Sequence, residues 1–185
     1  MAPAVGIGNF RMGLIAGMQK PVPSTTERRH MTATAQVAHM NVARLRFPPG
    51  DPRVAGFIDN VARVNAVAER SPGYVWRLSD ESSAVGNGIT FQAVDPDPCL
   101  AISLSVWDSV ESLWHFVNKT VHGGFLKRRV EWFAPWTGPN YVIWPHAGST
   151  PPTLSEGWTR LRRLADHGAM PEAYDFKYAK VVPET

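Results

Sequence analysis

The chain has 185 residues, 44% apolar and 19% charged, with a net charge of +3, enough apolar material for one domain with its own core. Its longest basic run is Lys127-Arg128-Arg129, which is no stripe of the kind that holds nucleic acid, and no apolar run approaches the roughly 18–20 residues that span a bilayer. The single cysteine, Cys99, excludes an internal disulfide and a Cys-rich zinc site and fits a reducing, cytoplasmic setting.

Residues 1–34 read as an irregular N-terminal extension, and residues 35–185 as the folded domain. Segment 5–18 is mildly apolar but contains Arg11 and lacks a basic start, unlike a signal peptide. Pro21, Pro23, Ser24, Thr25 and Thr26 then resemble a linker. Residues 35–45 alternate as a first strand, with Val37, His39, Asn41 and Ala43 on one face and Ala38, Met40 and Val42 on the other. Asp51 before Pro52 predicts a helix start. Val54, Phe57, Ile58, Val61, Val64 and Val67 follow at helical spacing as one helix, which should stop near Ser71-Pro72-Gly73.

Tyr74 to Leu78 is a second strand, 79–88 a loop, and Ile89 to Val94 a further strand segment. Asp95-Pro96-Asp97-Pro98 is a turn. Leu100 to Trp107 is the clearest strand: Leu100, Ile102, Leu104 and Val106 face one way, and Ala101, Ser103, Ser105 and Trp107 the other. Asp108 and Glu111 have capping-box-like spacing for a second helix carrying Leu113, Phe116 and Val117. His122-Gly123-Gly124 interrupts it, and Phe125, Leu126, Val130 and Phe133 continue as a helical stretch. Tyr141 to Pro145 is the last core strand. Thr153 and Glu156 cap a further helix with Trp158, Leu161 and Leu164, and Tyr174 to Tyr178 is an extended stretch that would pack across the sheet.

The order β-α-β-β-α-β predicts an α+β fold of the ferredoxin-like split βαβ type, with an antiparallel sheet. Two helices cover one face of such a sheet. The other needs a cover, because an exposed apolar face is a liability, and a second copy of the chain is the expected one.

The mixed strand face collects His39, Asn41, Ser103, Ser105 and Trp107, with Trp144 and His146 expected to join it. If the aliphatic face packs on the helices, this one lines a cavity; otherwise it is the wet side of the sheet or a dimer contact. His122, beside two glycines, is the first candidate for proton transfer and His39 the second, since imidazole titrates near neutrality. Asn41 or Arg77 would hold a developing oxyanion. Trp76 and Trp132, with the other tryptophans among the seven, would supply an apolar wall. No His-x-His, His-x-x-x-His or His-Glu-x-x-His spacing occurs, so no metal site is expected from spacing.

Several stretches together resemble the family known as domain of unknown function 3291: Pro72-Gly73-Tyr74-Val75-Trp76-Arg77-Leu78, Ser103-Leu104-Ser105-Val106-Trp107-Asp108-Ser109, Arg128-Arg129-Val130-Glu131-Trp132-Phe133, Val142-Ile143-Trp144-Pro145, and the junction from Ala147-Gly148 to Pro152-Thr153. The resemblance spans roughly 35–180. It implies a dimeric α/β barrel related to antibiotic-biosynthesis monooxygenases, haem-degrading enzymes and small decarboxylases or cyclases. Many relatives carry a second aromatic where this chain has Pro145-His146, which implies different pocket contents. Three functions follow as expectations. The first is an enzyme on a hydrophobic aromatic or polyketide-like molecule, working without a cofactor by monooxygenase-type, cyclase or dehydratase chemistry. The second is a haem-binding or haem-handling protein, and the third a non-catalytic ligand-binding dimeric scaffold.

Overall fold

The computed structural model of the chain describes residues 36–79, 89–91, 94–120 and 128–179. Strand β1 (Gln36–Arg44) lies at the centre of an antiparallel sheet, between β4 (Leu100–Trp107) and β5 (Tyr141–His146). Strand β2 (Tyr74–Arg77) pairs with the other side of β4 at its C-terminal end. The short β3 (Thr90–Phe91) pairs with the same side of β4 further along, so the two form one interrupted edge. The order β2-β4-β1-β5 is that of the ferredoxin-like split βαβ fold, as the alternation of the sequence implied.

The first crossover departs from a single helix. Asp51 caps a 3-10 turn (Pro52–Val54), its carboxylate accepting from the Arg53 N–H at 2.9 Å. Helices α1 (Ala55–Ile58) and α2 (Val61–Glu69) follow, separated at Asp59-Asn60. The break has a local cause: the Asn60 side-chain amide donates to the Gly56 carbonyl at 3.0 Å, offering that backbone group a partner outside the helical ladder. Helix α3 (Val110–Lys119) is capped one residue later than its sequence suggested. Ser109, not Asp108, accepts from the Ser112 N–H at 3.2 Å, while Asp108 accepts the Ser109 hydroxyl proton. The last helix, α4 (Leu154–His167), starts at Thr153 as expected, with the hydroxyl accepting from the Glu156 N–H.

Both sheet faces are covered, and the crossover helices lie on the mixed face rather than the aliphatic one. Helices α2 and α3 pack on the mixed face, where Ala68, Leu113 and Phe116 meet Val37, Trp107 and Ile143. The aliphatic face carries Ala38, Met40, Val42, Leu100, Ile102, Leu104 and Val106 and packs instead with Leu161 and Leu164 of α4. A C-terminal helix of the same chain thus takes the place that the sequence pattern gave to a second subunit. Burying this many aliphatic side chains, each worth about 1.5–3 kcal/mol, is what holds α4 down.

Helix α4 approaches the sheet closely at Gly157. A Cβ there would stand 2.7 Å from Met40 Sδ and 3.2 Å from Trp144 Cη2. Gly157→Val is therefore expected to lower stability by about 2 kcal/mol, since overfilled cores lose roughly 1–3 kcal/mol. A denaturation midpoint equal to wild type would show that α4 does not sit this tightly.

The terminal stretch was expected to run extended across the sheet. It makes a single bridge to the sheet, with the Tyr174 N–H donating to the Ile143 carbonyl at 2.9 Å and the Tyr174 carbonyl accepting from the Ile143 N–H at 2.8 Å. The chain then turns, because the Asp175 carboxylate accepts from the Tyr178 N–H and closes the loop. Among the described residues no helix is long and apolar enough to cross a membrane.

Candidate functional site

Antiparallel register decides which polar residues meet. Directly opposed residues share a face, with Cβ atoms about 4.5–5.5 Å apart. His39 stands opposite Ser105 on one side and Ile143 on the other, and Ser105 stands opposite Arg77. The row Arg77–Ser105–His39–Ile143 therefore crosses all four main strands. In the next row Asn41 stands between Ser103 and Tyr141. All these side chains but the buried Ile143 are half-buried, while Val37 and Trp107 in the row above are buried under the helices.

Their partners limit what each can do. The Trp107 indole N–H donates to the Ser105 hydroxyl oxygen at 3.0 Å, leaving the Ser105 proton to be given elsewhere. The Asn41 amide donates to the Asn140 carbonyl at 3.2 Å. Arg77 is committed to an ion pair with Glu69 of α2 at 2.7 Å and to the Leu78 carbonyl, so it is less suited to hold an oxyanion than the sequence implied. The His39 ring lies 5.9 Å from that of Tyr141. Tyr141 was read only as a strand start. Its membership of the row was legible in the alternation Tyr141, Ile143 once β5 is set against β1.

Burial pushes the Tyr141 phenol above its ordinary value, against the hydrogen bond its oxygen accepts from the Phe176 N–H. Tyr74 and Tyr174 are raised for the same first cause. A raised tyrosine stabilises the fold below its unfolded value, about 10. That stability is lost as pH rises through the folded value. Alkaline titration followed by tyrosinate absorbance should show a late phase, and Tyr141→Phe should remove part of it; an unchanged late phase would place Tyr141 in water.

The remaining expected residues lie elsewhere. Trp144 was expected on the mixed face, but it pairs opposite Ala38 and Trp76 opposite Val106, which puts both on the aliphatic face. His146, opposite Gln36, has the same parity. Trp144 is fully buried with Arg160 over its ring at 5.4 Å. Trp132 packs with Phe57 beyond the end of β1, and Arg128 lies over it at 4.8 Å. Trp107 stacks on Phe116 and serves the core. His122 lies outside the described residues. Among the described residues no group of three or more His, Cys, Asp or Glu could hold a metal ion.

A ferredoxin-like α+β domain with a polar row between its sheet and two helices is the class that these elements define. The chain belongs to the family described as domain of unknown function DUF3291, whose model matches residues 36–185. No curated protein matches the sequence. Among the solved structures that are similar at low identity are the following three. A protein of unknown function from Nitrosomonas europaea, NE2512, has 11% identity and a TM-score of 0.46, over 66% of this chain and 99% of that one. SnoaB, a cofactor-independent oxygenase from Streptomyces nogalater, has 14% identity and a TM-score of 0.40, over 64% and 99%. A monooxygenase from Streptomyces coelicolor, in complex with nanaomycin D, has 12% identity and a TM-score of 0.37, over 66% and 97%. The fold assignment rests on the strand order and register given above.

Proposed function

We propose that the mixed face binds a hydrophobic aromatic or polyketide-like molecule and that His39 exchanges a proton with it, in cofactor-independent monooxygenase-type or cyclase/dehydratase chemistry. The observation that carries this reading is the alignment of His39, Ser105, Asn41 and Ser103 in two adjacent rows, half-buried beneath helices that bring Phe116 and Val117 to the same face. His39 would take a proton from an acidic C–H or O–H of the substrate. The free proton of Ser105 and the second amide proton of Asn41 would then donate to the oxyanion left behind. The aromatic and aliphatic residues of the helix layer would exclude water from that anion.

Oxygen uptake with a 1,8-dihydroxyanthrone probe tests the reaction, and native mass spectrometry of the same mixture tests binding. The expected result is binding with accelerated uptake, lowered about 100-fold in His39→Gln, the usual scale for a lost general base. Equal turnover in wild type and variant would remove His39 from the mechanism. Binding without uptake would favour cyclisation or dehydration. If added haemin instead gave a Soret band that His39→Ala abolished, the same face would be read as a haem site.

A further inference from the structure

At the last residue of β1, on the aliphatic side of the sheet, Arg44, Pro135, Trp136 and Thr137 line an open recess of about 240 Å³. Pockets for drug-sized ligands run about 300–1,000 Å³, so this one suits a single ring. Its parts are held in place. The Ala134 N–H donates to the Arg44 carbonyl at 2.8 Å, tying the loop to the strand. The Trp136 indole N–H donates to the Pro139 carbonyl at 3.0 Å, which fixes the ring. Arg44 lies over that ring with Cζ 5.9 Å from its centroid.

The guanidinium is engaged on one edge only. Its Nε pairs with Asp97 Oδ2 at 2.8 Å, and its side chain is 49% exposed. The other Asp97 oxygen accepts from the Cys99 N–H at 2.8 Å, which anchors the carboxylate. Among the described residues Arg44 has no second ion-pair partner. An arginine fork held this way matches the two oxygens of a carboxylate, and Trp136 and Pro135 add a smaller apolar share to a lining that is mostly polar.

We propose that this recess binds a small planar aromatic carboxylate, with the two oxygens on the terminal nitrogens of Arg44 and the ring against Trp136 and Pro135. The site is separate from the His39 row, which lies on the opposite face of β1, so either can fail without the other. The rival account is that Arg44, Trp136 and Asp97 form only a surface stack with no ligand.

The test is titration of the full chain with benzoate, following the Trp136 indole N–H by NMR. Benzyl alcohol and cyclohexanecarboxylate serve as controls for the charge and the ring. Benzoate is expected to shift the signal saturably and benzyl alcohol to bind at least about tenfold more weakly, since a charge-assisted fork is worth upwards of a tenfold step, while cyclohexanecarboxylate keeps the fork, loses the flat ring and should bind more weakly than benzoate. Arg44→Gln should weaken benzoate about tenfold. Asp97→Asn keeps an oxygen for the Cys99 N–H but removes the competing negative charge, so it should tighten benzoate binding. His39→Gln should bind benzoate as wild type does. No saturable shift, equal binding of benzyl alcohol, or unchanged binding in Arg44→Gln would overturn the proposal. If Arg44→Gln does not fold, Asp97→Asn decides, and unchanged or weaker binding there overturns it.

Discussion

Trp107→Ala is expected to lower stability by about 4 kcal/mol, the usual scale for removing a buried tryptophan. Trp107 is 1% exposed. It stacks on Phe116 of α3 with ring centroids 5.1 Å apart and meets Tyr74 of β2 edge-on at 5.6 Å. It therefore joins the sheet, the edge strand and the helix layer at one point, and deletion leaves a cavity bordered by all three. Trp107→Phe should recover most of the loss, because the ring stack remains. That variant also removes the donor held by the Ser105 hydroxyl, so the His39 imidazole resonance should shift although the fold is kept. Chemical denaturation and NMR of the two variants check this. A loss below about 1 kcal/mol for alanine, typical of surface substitutions, would mean that Trp107 is not the joint described.

Gly73→Ala should cost about 3 kcal/mol, from two causes. Gly73 has φ +80, a left-handed conformation that costs other residues roughly 1–2 kcal/mol. An added Cβ would also lie 2.2 Å from Ser112 Oγ and 2.3 Å from Asp108 Oδ1, and overfilling adds roughly 1–3 kcal/mol. Those atoms belong to the cap of α3, and the Gly73 carbonyl accepts from the Asp108 N–H at 2.7 Å. The entry to β2 and the start of α3 are thus built against each other. Gly168, with φ +79 and ψ −178 and nothing within 4 Å of an added Cβ, carries a conformational cost with no contact. A Gly73→Ala midpoint equal to wild type would show that neither the conformation nor the contact with the α3 cap has energetic weight.

Much of the fold was legible in the residues. Strict alternation in 36–44 and 100–107 gave both central strands and their faces, since side chains in a strand have period two. Thr153 with Glu156 marked the start of α4, because a capping hydroxyl must sit where the helix leaves its N–H groups unpaired. The stretch around Pro72-Gly73 was one of several that together resembled the family, and the left-handed glycine at its centre shows why that position is demanding. Local capping was legible to within a residue: Asp108 and Ser109 both can accept from the helix start, and only backbone direction selected Ser109. The break at Asn60 escaped the apolar periodicity because it depends on one side-chain amide reaching the Gly56 carbonyl.

The candidate site divided along the same line. His39, Asn41, Ser103 and Ser105 were placed together by alternation alone, because each pair lies two residues apart on its own strand. Alternation does not say how one strand aligns with another. Register set Tyr141 beside Asn41 and Arg77 beside Ser105, and turned Trp144 and Trp76 to the opposite face. Sequence by itself determined the split βαβ order, the two-faced strands and the polar row, all properties of near neighbours along the chain. Only the tertiary structure decided which layer covers which face. An apolar stripe records that a surface must be buried and carries no address for its cover; α4 supplies that cover here because Gly157 lets it reach Met40 and Trp144.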